Sequence, residues 1–129
     1  MSKNEEINPK GELAIRVQAM PENTNPAGDI FGGWVLSQMD IAGGLVTKKL
    51  TRGRTVTIAV DAMTFYKPVL VGDTLCCYVE IIKTGKTSIT VKIESWVARQ
   101  YEDVREKVTE GTFTYVAVSH DRIPRKIEA

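Results

Sequence analysis

From Gly33 to about Leu50 the apolar residues Val35, Met39, Ala42, Val46 and Leu50 recur at three- and four-residue intervals, which places them on one face of a helix. No other stretch sustains that period, so one long helix is expected. Elsewhere the period is two. "ELAIRVQAM" carries Leu13, Ile15, Val17 and Ala19 at alternate positions, and "TVTIAV" repeats the pattern through Val56, Ile58 and Val60. "LCCYVEIIK", "TSITVKIESWVAR" and "KVTEGTFTYVAVS" follow, with Ile89, Val91, Ile93 and Val97 on one face of the second. Each reads as a β-strand. "PENTNPAGD", "YKPVLVGDT" and "TGK" interrupt them with proline, glycine and asparagine, the residues of loops and turns. About five strands joined by short connections, with one helix inserted after the first, predict an α+β chain with an antiparallel sheet.

Composition narrows the function classes. A chain of 129 residues makes one domain, expected over residues 11–120, with a polar, flexible N-terminal segment at 1–10 and a C-terminal tail at 121–129. Lys and Arg total 17 against 16 Asp and Glu. There is no overall basic field to recruit nucleic acid, and any positive site must be local. No apolar run reaches signal-peptide or bilayer-spanning length, so a soluble cytoplasmic protein with no membrane partner is expected. Cys76 and Cys77 are adjacent on a strand and point to opposite faces, which argues against a disulfide. With His120 as the one histidine, a Cys/His zinc site lacks ligands and no metal is expected. His120 also lies far in sequence from the helix, leaves a Ser/His triad unsupported, and reads as a surface histidine.

The chemistry concentrates in "GDIFGGWVLSQMD", residues 28–40. Glycine within a helix costs about 1 kcal/mol relative to alanine, and a carboxylate on an apolar helix is expensive unless something answers it. A helix N-terminus offers unpaired N–H groups and partial positive charge, and Gly32 and Gly33 would let a ligand reach them. Equally, the two glycines serve a tight turn and close packing. Asp40 follows Gly33 by seven residues, about 10 Å at 1.5 Å per residue, so it cannot serve its own helix N-terminus. Ala42, Gly43 and Gly44 leave the middle of the helix open to close backbone packing.

"MPENTNPAGDIFGGWVLSQMD" followed by "GRTVTIAVDAMTFYKPVLVGDTLCCYVEIIKTGKTSITVKIESWV" resembles the hotdog-fold acyl-CoA thioesterases, specifically the small bacterial YciA-like group, over residues 12 to 118. The resemblance implies a hotdog fold, a sheet wrapped around the long helix, pairing into a homodimer with a continuous sheet and assembling further as a trimer of dimers, commonly a hexamer. It implies hydrolysis of acyl-CoA to free acid and coenzyme A, which belongs to substrate and product, with no separate cofactor. In that scheme Asp40 is general base or nucleophile and faces the catalytic loop of the partner, while the Gly33 N–H polarises the thioester carbonyl, a kind of contact worth ~2.7–4 kcal/mol in the transition state. Asp29 matches the position of a catalytic asparagine in related double-hotdog enzymes; it positions water or substrate, or caps the helix.

The resemblance also sets Asn25, Gly32 and Trp34 around the substrate. Coenzyme A phosphates need basic side chains and backbone donors. Three stretches supply them: Arg52 and Arg54 in "TRGRTVT", Lys83, Lys86, Thr87 and Ser88 in "KTGKTS", and Arg122, Arg125 and Lys126 in "DRIPRK". The resemblance favours the first two, hence Arg54, Thr55, Val56, Lys86, Thr87 and Ser88. The alternative is a non-catalytic acyl-CoA-binding hotdog module. A thioester dehydratase of this fold would carry a catalytic histidine near the helix, which this chain lacks.

Overall fold

The face built from Val35, Met39, Ala42 and Val46 closes the core. In the computed structural model, which describes residues 8–99, 101–102 and 104–127, helix α1 spans Gly32–Thr51 and buries those four side chains, while Leu50 in its last turn stays exposed. Arg52 ends the helix in the left-handed conformation (φ 57°), its N–H donating to the Lys48 carbonyl. Residues 1–7 of the expected flexible segment, and 128–129 of the expected tail, lie outside the described residues. Among the described residues no helix is long and apolar enough to cross a membrane.

Five strands surround one face of the helix: β1 (Glu12–Gln18), β2 (Thr55–Phe65), β3 (Thr74–Thr84), β4 (Ser88–Ala98) and β5 (Arg105–Ala117). A single 3-10 turn, Pro21–Asn23, interrupts the loop before α1. The sheet order is β1-β3-β4-β5-β2, every neighbouring pair antiparallel. The expected α+β hotdog architecture, five strands and one long helix, is the observed one. Ile89, Val91, Ile93 and Val97 point from β4 into the core with Leu75, Val79, Phe113 and Tyr115. Cys76 and Cys77 are both free. Cys77 lies in the core 3.4 Å from the Ser95 hydroxyl, and burial pushes its thiol up to about 11.

The alternation misleads on the two edge strands because both are bulged. Ile15 and Val17 pack on the core, but the register slips between Leu13 and Ile15 and leaves Leu13 exposed. In β2 a slip between Thr57 and Ala59 breaks the expected Val56–Ile58–Val60 face. Thr55 and Thr57 pair with Ala117 and Tyr115 and so share the helix-facing side, Val56 pairs with Val116 on the other, and Val60 returns to pair with Phe113. A one-residue slip exchanges the faces of everything beyond it. A second slip between Asp61 and Thr64 holds Ala62 at φ 52°, a conformation that costs a residue with a Cβ about 1–2 kcal/mol.

"YKPVLVGD" becomes a strap that carries the loop before the helix. Asp73 Oδ2 accepts the Leu70 N–H at 2.8 Å, closing a turn, and pairs with Arg99; the Arg99 guanidinium also reaches the Pro68 carbonyl and Glu106. Lys67 pairs with Glu106 from the other side. The strap then accepts the Ile30 N–H at the Val69 carbonyl, 3.1 Å. The chain after β5 folds back: Val118 bridges Pro124 and the Ile127 N–H donates to the Lys86 carbonyl.

Candidate active site

The loop before α1 is held by Asn25. Its Oδ1 accepts the N–H groups of Ala27 and Asp29 at 2.9 and 3.1 Å, and its own N–H donates to the Asp29 carbonyl at 2.7 Å. The Asn25 amide nitrogen has no partner among the described residues. Asp29 contributes its backbone to this turn, and its carboxylate is exposed. It does not cap the helix: the N-cap is Phe31, no side chain caps, and the first turn holds no acid. The first hydrogen bonds back to Phe31 are made by Trp34 and Val35, which leaves the N–H groups of Gly32 and Gly33 free to donate elsewhere. A Cβ on Gly32 would touch the Phe65 ring at 3.6 Å, but one on Gly33 would meet nothing within 4 Å. Nothing in this chain requires glycine at position 33. Trp34 is half-buried against the core. Asn25, Asp29, Gly32 and Phe65 line a cavity of about 350 Å³.

Asp40 faces the other way along the sheet. The Thr57 hydroxyl donates to its Oδ1 at 2.6 Å, and the Tyr115 hydroxyl reaches Oδ1 at 3.0 Å and the Asp40 carbonyl at 2.9 Å. Two hydroxyls therefore fix one carboxylate oxygen. Burial, followed by the charge of Asp40, pushes the Tyr115 phenol well above the ordinary tyrosine range, so it stays a neutral donor. Gly43 makes the contact possible: a Cβ there would lie 2.1 Å from the Tyr115 oxygen. The small residues in mid-helix thus admit Tyr115. Asp40, Thr55, Thr57 and Tyr115, with Ile41, Gly44, Leu45 and Lys48, line a cavity of about 240 Å³. Its lining shares no residue with that of the Gly32 cavity.

Neither Thr57 nor Tyr115 carries a signal in the sequence. They stand 17 and 75 residues from Asp40, and the bulge that turns Thr57 inward is invisible to periodicity.

The three basic stretches meet at the C-terminal end of α1. The Arg54 carbonyl accepts from Val118, Thr87 accepts from Ala117, and Lys86 accepts from Ile127. Val56 and Ser88 both pair with Val116. Arg54 donates from its guanidinium to the His120 carbonyl at 3.1 Å, and Lys86 is exposed. Arg125 is spent on structure, since its guanidinium donates to the carbonyls of Val118, Thr51 and Arg54 and to the Thr51 hydroxyl. A larger cavity, about 510 Å³, lies between the strap and the start of β5 and adjoins the Gly32 cavity at Tyr66 and Lys67; its lysines are already paired, Lys67 with Glu106 and Lys107 with Glu110. No group of three or more His, Cys, Asp or Glu among the described residues is placed to hold a metal ion.

Comparison with known proteins places the sequence and the fold in one family. The sequence profile of the thioesterase superfamily matches residues 27–103. The acyl-CoA thioester hydrolase YciA of Salmonella typhimurium is 50% identical over 122 residues, 92% of each chain. Among solved structures, the hexameric thioesterase y2039 from Yersinia pestis superposes with a TM-score of 0.91 at 52% identity, covering 95% of this chain and 100% of its own. A hexameric broad specificity acyl-coenzyme A thioesterase superposes with a TM-score of 0.89 at 45% identity, covering 95% of this chain and 84% of its own.

Proposed function

The chain belongs to the thioesterase superfamily, and from that premise we propose that it is a cytoplasmic acyl-CoA thioester hydrolase whose site is completed by two copies of the chain. The observation that carries this reading is the separation of its two halves. Gly32, whose N–H is free like that of Gly33 beside it, lines one cavity and Asp40 lines another, with Gly33 and Asp40 about 10 Å apart along one helix. A second copy can bring one chain's donors to the other's carboxylate.

The edge strand β2 supports such pairing. Eleven residues long, it has Asp61 as its one charged residue and leaves Val56, Ile58 and Val60 exposed. Unprotected edges of this kind pair with further strands. Ile41 and Leu45 on α1, both exposed, lie beside Asp40 and supply apolar surface for a partner. The two solved relatives are hexamers, and a homodimer assembling as a trimer of dimers accords with them.

In the proposed reaction the thioester carbonyl oxygen receives the Gly33 N–H, which meets the negative charge as it develops. Asp40, held at Oδ1 by Thr57 and Tyr115, acts through Oδ2. As general base it takes a proton from water, the water oxygen bonds to the carbonyl carbon, the C–S bond breaks, and the thiolate leaves and is protonated. As nucleophile it bonds to the carbonyl carbon, the C–S bond breaks and the thiolate leaves and is protonated, and water then cleaves the resulting mixed anhydride to the free acid and the Asp40 carboxylate. The Asn25 amide is placed to orient water or substrate from the glycine half, and Asp29 lines the same cavity. Arg54, Thr55, Val56, Lys86, Thr87 and Ser88 supply the nucleotide end.

Steady-state hydrolysis of an acyl-CoA panel, read as free thiol, tests the activity. Asp40→Asn is expected to lower turnover at least about a hundredfold with the assembly intact. Turnover within a few-fold of wild type removes Asp40 from the chemistry, and coenzyme A binding without thiol release by the wild-type chain makes it a binding module. Single turnover in ¹⁸O-water separates base from nucleophile by whether label enters Asp40.

A further inference from the structure

Lys48 stands two helical turns beyond Asp40 on the same face of α1, at a spacing of eight residues, or about 12 Å. The two line one cavity. Between them lies Gly44, where a Cβ would meet nothing within 4 Å, so no side chain obstructs the path. Lys48 is exposed and has no ion-pair partner among the described residues. Its neighbour Lys49 reaches Glu12 at 3.8 Å on the other side of the helix. Thr55, the first residue of β2 and the neighbour of Arg54 in the chain, lines the same groove and bonds through its hydroxyl to Thr47 beside Lys48.

We infer that Lys48 is a substrate-binding residue, a cation that takes an anionic phosphate of the thioester substrate as its arm runs along α1 from Asp40 past Gly44. The inference rests on the hydrolase reading and adds a direction to it, with the thioester at the acid and the phosphates toward the helix C-terminus. An ammonium on a four-carbon stem is a compact charge suited to phosphate, and with Asp40 at the opposite end the groove carries a gradient that orients a molecule whose charge lies at one end. The helix offers a competing use for Lys48, since a lysine in the last turn complements the partial negative charge there. Lys49 occupies the same last turn outside the groove, which makes it the control.

The experiment compares Lys48→Ala, Lys48→Arg and Lys49→Ala with wild type on two substrates, an acyl-CoA and the matching acyl N-acetylcysteamine thioester, which has no phosphate. Calorimetric titration with coenzyme A itself runs alongside. Lys48→Ala is expected to raise KM for acyl-CoA and Kd for coenzyme A about tenfold at low ionic strength and less at high, because exposed charges are screened. Its kcat should stay within twofold, its KM for the phosphate-free thioester should be unchanged, and Lys48→Arg should restore most of the loss. Lys49→Ala should change none of these. The inference is overturned if coenzyme A binds Lys48→Ala as it binds wild type, if KM rises equally for both thioesters, or if Lys49→Ala has the same effect. Because the titration needs no turnover, a wild-type chain that binds coenzyme A but hydrolyses nothing refutes the hydrolase reading and leaves the role of Lys48 to be decided by the Kd values.

Discussion

The Tyr115 hydroxyl touches Asp40 twice, at Oδ1 and at the backbone carbonyl, through space that exists only because residue 43 has no side chain. A donor on the far strand of the β5–β2 pair thereby sets the orientation of a carboxylate on the helix.

Removing that donor should act on turnover more than on binding. Tyr115→Phe keeps the ring and its packing and deletes one hydrogen bond to a charged group, a contact worth about 1.5–3 kcal/mol. Roughly tenfold lower kcat with KM within twofold is the expected result in steady-state kinetics. Gly43→Ala forces Tyr115 away and should show the same kinetic signature. It should also cost about 1–3 kcal/mol of stability from overpacking, read as an earlier urea midpoint. Unchanged kcat in both variants removes Tyr115 from the positioning of Asp40.

Complementation tests the shared site. Asp40→Asn retains the donors, and Gly33→Val crowds them while keeping the carboxylate. Each homogeneous variant should be close to inactive, and co-refolded mixtures should recover activity through mixed pairs carrying one intact site. Full activity from a demonstrated monomer would refute the arrangement. So would a mixture no better than its parts.

Thr109 offers a test of the core. Its hydroxyl is the one buried side-chain oxygen or nitrogen among the described residues that finds no hydrogen-bond partner, and a buried polar group left unsatisfied costs about 1–3 kcal/mol. Thr109→Val keeps the shape and removes that cost. The urea midpoint should rise, with catalysis untouched; a lower midpoint would show that the hydroxyl is satisfied in solution.

Acid should loosen the strap. The hydrogen bond from Lys67, with support from Arg99, holds the Glu106 carboxyl below its ordinary value despite opposing desolvation. A depressed folded-state value means that its stabilisation is fully present above the unfolded value, near 4.5. It is lost as pH falls through the folded value. Denaturant midpoints measured downward from pH 6 should therefore drop more steeply in wild type than in Glu106→Gln, which lacks the titrating group. Parallel curves would show that the pair contributes nothing.

The sequence by itself determined the element list and the face of the helix that is buried. Val35, Met39, Ala42 and Val46 could be read because helix and strand periods follow from local backbone geometry, and the motif "GDIFGGWVLSQMD" marked both the donors and the acid. Only the tertiary structure decided what surrounds that acid. Thr57 turns inward because β2 is bulged, and register slips leave no trace in alternation. Tyr115 reaches Asp40 because β5 crosses beneath the helix at Gly43, a contact between residues far apart in sequence. The same holds for the basic stretches: three separate runs of charge in the chain become one end of the molecule, and Arg125, a phosphate-site candidate by sequence, is spent on backbone carbonyls there. Local propensity acts over a few residues, whereas side-chain partnerships depend on strand register and crossing, which are set when the whole sheet closes on its helix.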